Sequence, residues 1–285
     1  MCRQKMSSSK ARKSFKGGRQ GSGVGKTTTN LTPVARPLTL MKHTLFISDL
    51  HLCPTRPAIN ALFERFLRDI APQAEALYIL GDFFEYWAGD DDLSAPFHHA
   101  IAAQLNALAQ CGTRLYLMHG NRDFLIGAEF QRAANITLIP DPTLIDLYGQ
   151  PTLLMHGDTL CSDDVEYQAF RTQVREPAWQ QSFLATPLAT RKAQIESLRK
   201  RSEQEKSTKA AEIMDTNADT VASTLRAFHY PRLIHGHTHR PALHVQTLDG
   251  KSCERWVLTD WYKVGGYLRC DAAGCVAHTL EISES

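Results

Sequence analysis

The chain has 285 residues, of which 43% are hydrophobic and 22% are charged, and its formal net charge is +2. These values indicate a globular protein with one large domain or two small ones, and no apolar stretch approaches the ~18–20 residues of a membrane-spanning helix. Ten of the 32 basic residues lie in residues 1–42, which hold no acidic residue, so the rest of the chain is mildly acidic and its charge gives no argument for nucleic-acid binding.

The N-terminal segment, residues 1–41, is basic and rich in Ser, Gly and Thr. It has too few apolar groups to offset its ordering entropy, so we predict a disordered tail outside the fold. It also lacks the apolar centre of a signal peptide. Residues 21–27 resemble a phosphate-binding loop, but that motif requires glycine where Gln20 stands and a preceding apolar strand. We expect a flexible tail, or translated sequence upstream of a start at Met41.

From residue 42 the pattern becomes α/β. The strand-like run TLFIS precedes a predicted helix at residues 57–71, whose apolar positions share one face. The run ALYIL precedes a helix at 96–110, and RLYLM precedes a short helix at 128–134. The segment LIDLYGQPTLLM predicts a hairpin that turns at Gly149-Gln150. Apolar strands that alternate with helices predict a sheet covered on both faces.

The C-terminal half has a different pattern. Residues 163–229 are helical and highly charged, and we predict a cap inserted before the last buried strand, RLI. After His239, short β runs with turns at Asp249-Gly250 and Ala273-Gly274 predict a closing antiparallel sheet. The folded domain is therefore expected over residues 42–285, with the cap at about 163–229.

The seven cysteines form no CxxC pair, and their number is odd. Both facts predict reduced thiols in a reducing compartment rather than a disulfide framework. The residues concerned are Cys2, Cys53, Cys111, Cys161, Cys253, Cys270 and Cys275.

Five short phrases with metal-binding side chains each follow an apolar run. They are Asp49-Leu50-His51, Gly81-Asp82, Gly120-Asn121-Arg122-Asp123, His156-Gly157-Asp158 and His235-Gly236-His237-Thr238-His239. Strand ends meet at one edge of a sheet, so donors that are distant in sequence should form one site. Oxygen and imidazole donors without a thiolate suit Mn²⁺, Fe²⁺ or Zn²⁺, and the repeated pattern predicts a two-metal hydrolase.

The spacing within these phrases suggests how the ligands are shared. Asp49 and His51 are two residues apart, so in an extended strand both would point toward one metal. Asp82 has two carboxylate oxygens and can bridge two metals. His237 and His239 can serve one metal each. Asn121 and His156 can complete the second set. For His235, an outer or packing role is favoured over direct ligation, since the following glycine can redirect the chain.

The order D-x-H, G-D, G-N, H-G and G-H-x-H resembles the calcineurin-like metallophosphoesterase superfamily. More narrowly, ISDLHL, YILGDFFEYWAGDDD, HGNRDFL, MHGDTLCSDD and LIHGHTHRP resemble the family of UDP-2,3-diacylglucosamine diphosphatases of lipid A biosynthesis. The resemblance runs from about residue 41 to the C-terminus. It implies a four-layer αββα sandwich of two mixed sheets with an inserted helical cap. It also implies hydrolysis of the substrate pyrophosphate to UMP and 2,3-diacylglucosamine 1-phosphate by a metal-activated water.

The resemblance also implies a site and its partners. One metal would be held by Asp49, His51, Asp82 and His239, and the other by Asp82, Asn121, His156 and His237. The implied ions are two divalent cations, most often Mn²⁺ in this family. Catalytic roles fall on Asn121, Arg122 and His237, and substrate contacts fall on Asn121, Arg122, Asp164, Ser202, Lys206, Lys209 and His237. The Lys206 position often holds another polar residue in the family. The implied setting is a monomer that binds no nucleic acid and sits peripherally on the cytoplasmic face of the inner membrane.

Arg122 bears on the substrate class. Many proteins of the superfamily carry histidine at this position as a candidate general acid, whereas arginine keeps its proton in proteins. A site without that acid suits a leaving group that departs as a stable anion, as a phosphate with a second pKa of ~6 does. Arg122 can instead clamp phosphoryl oxygens. The alternative is a surface salt bridge with Asp123.

Two further features allow two interpretations each. The cap carries Phe183, Leu184 and Leu188 before the basic residues Arg191, Lys192, Arg199, Lys200 and Arg201. This composition fits a surface that meets lipid headgroups, or a cap packed on the core with a solvated outer face. Tyr86 and Trp87 beside Asp90, Asp91 and Asp92 could border a pocket, although core packing and loop solvation are the favoured interpretation.

Two other functions remain open at this point. The first is a two-metal phosphoesterase that acts on another nucleotide diphosphate or phosphodiester. The second is a metal-poor interaction scaffold on the same fold, against which the intact ligand positions argue.

Overall fold

Two mixed β-sheets form the centre of the computed structural model, which describes residues 42–206 and 215–282. The strands of these residues are β1 (Thr44–Ile47), β2 (Ala76–Leu80), β3 (Arg114–Met118), β4 (Thr137–Ile139), β5 (Thr143–Leu147), β6 (Gln150–Leu154), β7 (Arg232–His235), β8 (Ala242–Leu248), β9 (Lys251–Val257), β10 (Gly265–Asp271) and β11 (Gly274–Leu280). The helices are α1 (Pro57–Asp69), α2 (Pro96–Gln110), α3 (Ala128–Ala134), α4 (Val165–Arg175), α5 (Pro177–Leu184), α6 (Leu188–Lys206) and α7 (Ala218–Ala227). The predictions for residues 1–41 lie outside the described residues.

Each sheet combines a run of parallel strands with antiparallel strands, which lie on one side of the first sheet and at both edges of the second. The first sheet has the order β11-β10-β1-β2-β3-β4, in which β1 to β4 are parallel and β10 runs antiparallel to β1. The second has the order β5-β6-β7-β9-β8, with β6, β7 and β9 parallel and both edge strands antiparallel. The parallel strands of each sheet therefore carry their following loops to one edge.

Three apolar clusters separate four layers. The first packs α1, α2 and α3 on the first sheet, with Phe63 and Phe66 of α1 fully buried. The second fills the space between the sheets and includes Phe46 and Ile234. The third packs Val221 and other residues of α7 on the outer face of the second sheet. The predicted αββα sandwich is confirmed.

Several predicted elements match the structure closely. Helices α2 and α3 have the predicted bounds, and α1 ends at Asp69 before a short 3₁₀ turn at Ala71–Gln73. The β5–β6 hairpin turns at Tyr148 and Gly149, whose φ angles are 56° and 85°. Two positive φ angles match the twist of the flanking strands, so the turn lies one residue earlier than predicted.

The prediction of one closing antiparallel sheet is wrong. The β8–β9 hairpin joins the second sheet, whereas the β10–β11 hairpin extends the first sheet beside β1. Alternating hydrophobicity indicates a hairpin but not the sheet whose edge it completes.

The prediction of reduced thiols is wrong for one pair. Cys270 and Cys275 stand opposite each other in the β10–β11 hairpin, with Cα atoms 4.1 Å apart, and form a disulfide. The register of the hairpin places the two cysteines opposite each other, and the number of cysteines in the sequence gives no information about that register. Cys53 and Cys253 are not disulfide-bonded.

The predicted cap span contains two kinds of helix. Helices α4, α5 and α6 follow one another and line a cavity above the strand-end loops. Helix α7 instead packs in the fourth layer of the sandwich. Among the helices of residues 42–206 and 215–282, none combines the length and apolarity needed to cross a membrane.

Candidate metal centre

The five phrases with potential ligands follow the carboxyl ends of β1, β2, β3, β6 and β7. Two compact groups of potential ligands lie there, in each of which the donor atoms are all within 4.8 Å of one another. One group is Asp49, His51 and His239, and the other is Asp82, His156 and His237. The structure thus brings together six of the seven predicted ligands in two sets.

Asp82 lies between the two groups. One of its oxygens is 3.8 Å from His51 Nε2, and the other is 3.8 Å from His156 Nε2. The seventh predicted ligand, Asn121, places Oδ1 3.0 Å from His156 Nε2 and 3.0 Å from His237 Nδ1. These positions suit a bridging carboxylate and an amide ligand of the second group.

The backbone at the ligands differs from the extended strand that the spacing suggested. Asp49 and His51 have φ angles of 55° and 49°, and β1 has already ended at Ile47. Positive angles also occur at Asp82, His237 and His239. Left-handed backbone costs an L-residue about 1–2 kcal/mol, although Asp and His tolerate it better than most residues. Five of the seven predicted ligands thus converge where the chain turns, not because an extended strand projects them to one side.

Glycines inside the phrases let these loops approach one another. Gly81 has a φ angle of 89°, and a Cβ there would overlap the ring of His156 and the backbone of Gly120. A Cβ on Gly236 would overlap the carboxylate of Asp49. A side chain at either glycine would push two ligand-bearing loops apart.

The residues fit a pair of divalent cations. Asp49 Oδ2 accepts hydrogen bonds from Ser48 Oγ and from the His237 amide, whereas its Oδ1 is buried without a hydrogen-bond partner among the described residues. Both ring nitrogens of buried His51 likewise form no hydrogen bond with a described residue, and carboxylate oxygens lie 3.7–3.8 Å from them. Buried polar atoms without partners are costly, and a bound cation would satisfy them.

The electrostatics of the site favour added positive charge. Burial on its own lowers the pKa of His156, but nearby carboxylates, chiefly Asp82, outweigh it and raise this pKa to about 9. Burial, with the charge of His156, lowers the pKa of His237 to about 3. His237 is therefore neutral near pH 7, the form in which imidazole ligates a metal.

His235 points away from both groups. Its Nδ1 lies 2.9 Å from the carbonyl oxygen of Gly236, and its Nε2 is 3.2 Å from Arg255 Nη1. Because arginine can only donate, Nε2 accepts that hydrogen bond and Nδ1 donates to the carbonyl. These contacts match the packing role favoured from sequence.

Arg122 combines a fixed backbone with an available side chain. Its amide donates to Asp82 Oδ1 at 2.8 Å, and its guanidinium forms no ion pair with a residue in 42–206 or 215–282. Asp123 instead accepts hydrogen bonds from the amides of Gly120 and Phe83. The surface salt bridge with Asp123 considered above is absent from this region.

A cavity of about 850 Å³ extends from the metal-ligand loops to the cap. The loops contribute Asn121, Arg122, His237 and His239 to its lining. The cap contributes apolar side chains, namely Phe170, Val174, Trp179, Phe183, Ile195 and Leu198. The cap also contributes charged side chains, namely Asp164, Glu166, Arg171, Arg175 and Arg199, so one continuous space is polar where the loops meet it and both apolar and charged along the cap.

The predicted substrate contacts are only partly described. Asp164 lines the cavity and caps α4 by accepting a hydrogen bond from the Tyr167 amide. Ser202 and Lys206 lie in the last turns of α6, and Lys209 lies outside the described residues. Tyr86 and Trp87 both line the cavity, and Trp87 also belongs to the buried core.

The basic residues at the start of α6 face the core of the protein. Arg191 is buried and pairs with Asp91, and Lys192 pairs with buried Asp92. Lys200 is exposed. The structure thus favours a cap packed on the core over a basic surface that meets lipid headgroups. Asp90, the third acidic residue of this loop, instead accepts hydrogen bonds from backbone amides at the start of α3.

One group that sequence reasoning missed ties α4 to the metal centre. Asp158 accepts hydrogen bonds from Tyr167 Oη at 2.6 Å and Arg171 Nε at 2.7 Å. The Tyr167 ring stacks on His237 with centroids 6.0 Å apart. The sequence does hold a signal for this group. Asp158 ends the fourth phrase without a predicted role, and Tyr167 and Arg171 are four residues apart, so both lie on one face of α4.

Comparison with known proteins identifies the class. The family model for calcineurin-like phosphoesterases matches residues 42–241. The UDP-2,3-diacylglucosamine hydrolase of Aromatoleum aromaticum is 57% identical over 230 residues, which cover 81% of this chain and 94% of that protein. The protein of the same name from Xanthomonas campestris pv. campestris is 50% identical over 246 residues, or 84% and 99% of the two chains. The chain therefore belongs to the calcineurin-like phosphoesterase family and is a metal-dependent hydrolase.

Within that family, the chain groups with the proteins named UDP-2,3-diacylglucosamine hydrolase, which it matches over nearly their whole length. A solved archaeal phosphodiesterase is 12% identical over 84% of this chain and 99% of its own, with a TM-score of 0.42. The two groups of ligands are the candidate sites for divalent metal ions.

Proposed function

We propose that the chain hydrolyses the pyrophosphate bond of UDP-2,3-diacylglucosamine and releases UMP and 2,3-diacylglucosamine 1-phosphate, a step of lipid A biosynthesis. The observation that carries this proposal is a cavity that joins the loops with the predicted metal ligands to apolar side chains of the cap. This substrate has an anionic diphosphate close to two acyl chains, so it needs adjoining polar and apolar surfaces. The identity to relatives of that name supports the same substrate.

The proposed metal ligands are those implied by the resemblance, with Asp82 shared. Asp49, His51, Asp82 and His239 would hold one ion, and Asp82, Asn121, His156 and His237 would hold the other. Mn²⁺ is the proposed metal, because oxygen and imidazole donors without a thiolate suit it. Two such ions, when bound, activate a water and neutralise charge on a phosphoryl group.

Side chains of the chain itself would orient the diphosphate. The Arg122 guanidinium lines the cavity and can hold two phosphoryl oxygens, while its amide fixes Asp82. Asn121 Oδ1 and His237 Nδ1 are 3.0 Å apart, and both side chains would border the α-phosphorus. The sugar phosphate leaves as an anion and needs no proton from Arg122, which supports a pyrophosphate substrate over an ester whose leaving group is an alkoxide.

The apolar lining would hold the acyl chains. Phe170 and Leu198 line the cavity and are also exposed, so the apolar surface continues from the cavity to the outside of the cap. We propose that the acyl chains enter here from the cytoplasmic face of the inner membrane, with the protein a peripheral monomer. Because Arg191 and Lys192 face inward, apolar contacts rather than these basic residues would carry the association.

The test of the reaction is Mn²⁺-supplemented hydrolysis of UDP-2,3-diacylglucosamine in ¹⁸O-water. We expect the label in UMP, and label in the sugar phosphate would refute attack at the α-phosphorus. A panel with water-soluble UDP-sugars and cyclic nucleotides tests the substrate. Equal turnover of a soluble diester would favour the broader phosphoesterase function. Removal of metal with a chelator should abolish turnover, and Mn²⁺ should restore it.

The role of the cap is tested through Trp179, whose ring stacks on Phe183 with centroids 4.8 Å apart. Trp179→Ala removes cavity lining without touching the metal ligands, so KM for the diacyl substrate should rise while turnover of a soluble UDP-sugar stays unchanged. An equal loss for both substrates would contradict acyl binding at this wall. Alanine variants of Asp164, Ser202, Lys206 and Lys209 test the remaining proposed contacts in the same assay.

A further inference from the structure

Glu85 lies between a proposed metal ligand, His51, and helix α6 of the cap. It follows the Gly81-Asp82 phrase, and its amide donates to the carbonyl oxygen of Leu52 at 3.1 Å. Its side chain is 12% exposed. A carboxylate this buried needs partners that compensate for its lost hydration.

The first partner is His51. The Nε2 atom of this ring faces Asp82 and the ligand groups at 3.8 Å, whereas Nδ1 faces Glu85 Oε2 at 3.7 Å. A shift of about 0.7 Å would bring Nδ1 and Oε2 to the length of a hydrogen bond. Histidine ligands commonly donate their second ring N–H to a carboxylate, which fixes the tautomer and the ring orientation.

The second partner is Arg199 of α6. Its Nη2 donates to Glu85 Oε1 at 2.6 Å, and its guanidinium lies 5.9 Å from the centre of the Tyr86 ring. Arg199 also lines the cavity. The two oxygens of Glu85 thus serve different parts of the protein: one faces the metal centre and the other holds the cap.

We propose that Glu85 is a positioning residue that orients His51 for metal binding and, through Arg199, couples the position of α6 to that metal site. The coupling rests on the proposed function insofar as His51 is a metal ligand. Coupling free energies are reciprocal. The contact between Arg199 and Glu85 should therefore strengthen metal binding at the His51 site, and metal binding there should stabilise the position of α6 by the same free energy.

A substrate-free Mn²⁺ titration of the full chain, followed by the EPR signal of the free ion, tests the positioning role. We expect two sites in the wild type, and in Glu85→Gln a loss of 10–100-fold in affinity at one site only. Glu196→Gln is the matched control, because Glu196 contacts Arg199 Nη1 at 3.4 Å but does not reach His51. Two sites within twofold of wild type in Glu85→Gln would overturn the proposal.

The coupling is tested with Arg199→Ala, which also serves if Glu85→Gln does not fold. We expect a several-fold loss at the same Mn²⁺ site, smaller than that of Glu85→Gln. In the double variant, Arg199→Ala should add nothing further, since its effect passes through Glu85. Additive losses, or a loss at both sites, would overturn the coupling. Because no substrate is present, a failed substrate assignment would leave these outcomes unchanged.

Discussion

Arg191 makes the hydrogen bonds whose loss should show most directly what holds the cap in place. It lies in the first turn of α6 and its side chain is 2% exposed. Its Nε donates to the carbonyl oxygen of Thr186 at 2.9 Å, and its other nitrogens donate to the carbonyl oxygen of Ala88 and to Asp91. One guanidinium therefore joins the start of α6, the connection before it and the loop after β2.

The magnitude follows from the three acceptors. In Arg191→Met the methionine keeps much of the apolar stem but donates nothing, and the carbonyl of fully buried Ala88 loses its donor at a cost of ~1–3 kcal/mol. The half-buried Thr186 carbonyl and the half-exposed Asp91 can partly regain water, so they add about 1 kcal/mol together. We expect a loss of about 3 kcal/mol in the free energy of unfolding.

Urea denaturation of the metal-loaded protein measures this loss, and hydrogen exchange along α6 localises it. Lys200→Met is the control, because Lys200 lies on the same helix but is exposed and should change stability by less than ~0.5 kcal/mol. A loss below ~1 kcal/mol in Arg191→Met, or equal effects of the two variants, would refute the view that the buried Arg191 guanidinium anchors the cap.

Three further outcomes are expected. Arg122→Ala should lower kcat by ~10²–10³ with Mn²⁺ binding unchanged, since only the side chain reaches substrate; weakened Mn²⁺ binding would contradict this. Burial and then the charge of Asp158 raise the pKa of Asp141 to about 6. The folded state then binds more protons than the unfolded chain between pH ~4 and 6, so stability should fall by up to ~3 kcal/mol across that range, and Asp141→Asn should flatten this slope in urea titrations. Burial raises the pKa of Cys161 to about 12, so a thiol reagent at pH 8 should modify exposed Cys111 well before Cys161, as peptide mass mapping would show.

Much of the fold follows from local patterns in the sequence. The apolar face of α2 and the proline at its start determine where that helix begins and ends, so its predicted bounds match the structure. The carboxyl ends of parallel strands meet at one edge, which is why the ligand phrases could be assigned to one site. Residue type and strand position were enough for both predictions.

The remaining features depend on contacts between distant segments. The left-handed backbone at Asp82 arises from the approach of neighbouring loops, and the apolar pattern of β2 carries no sign of it. The basic residues at the start of α6 suggest an exposed surface when the sequence is considered alone. In the structure they form ion pairs with Asp91 and Asp92 of a distant loop. The position of Glu85 likewise has no local signal in the sequence, since His51 and Arg199 both come from other elements.

The positive φ angles at the ligands have a consequence for engineering. Grafting the seven side chains onto an ordinary strand edge of another scaffold would give the right donors in the wrong directions. A transplant would have to carry the glycines at positions 81 and 236 and the loops around them. By the same logic, a β-branched replacement at any of the five predicted ligands with positive φ should strain the backbone in addition to removing a metal donor.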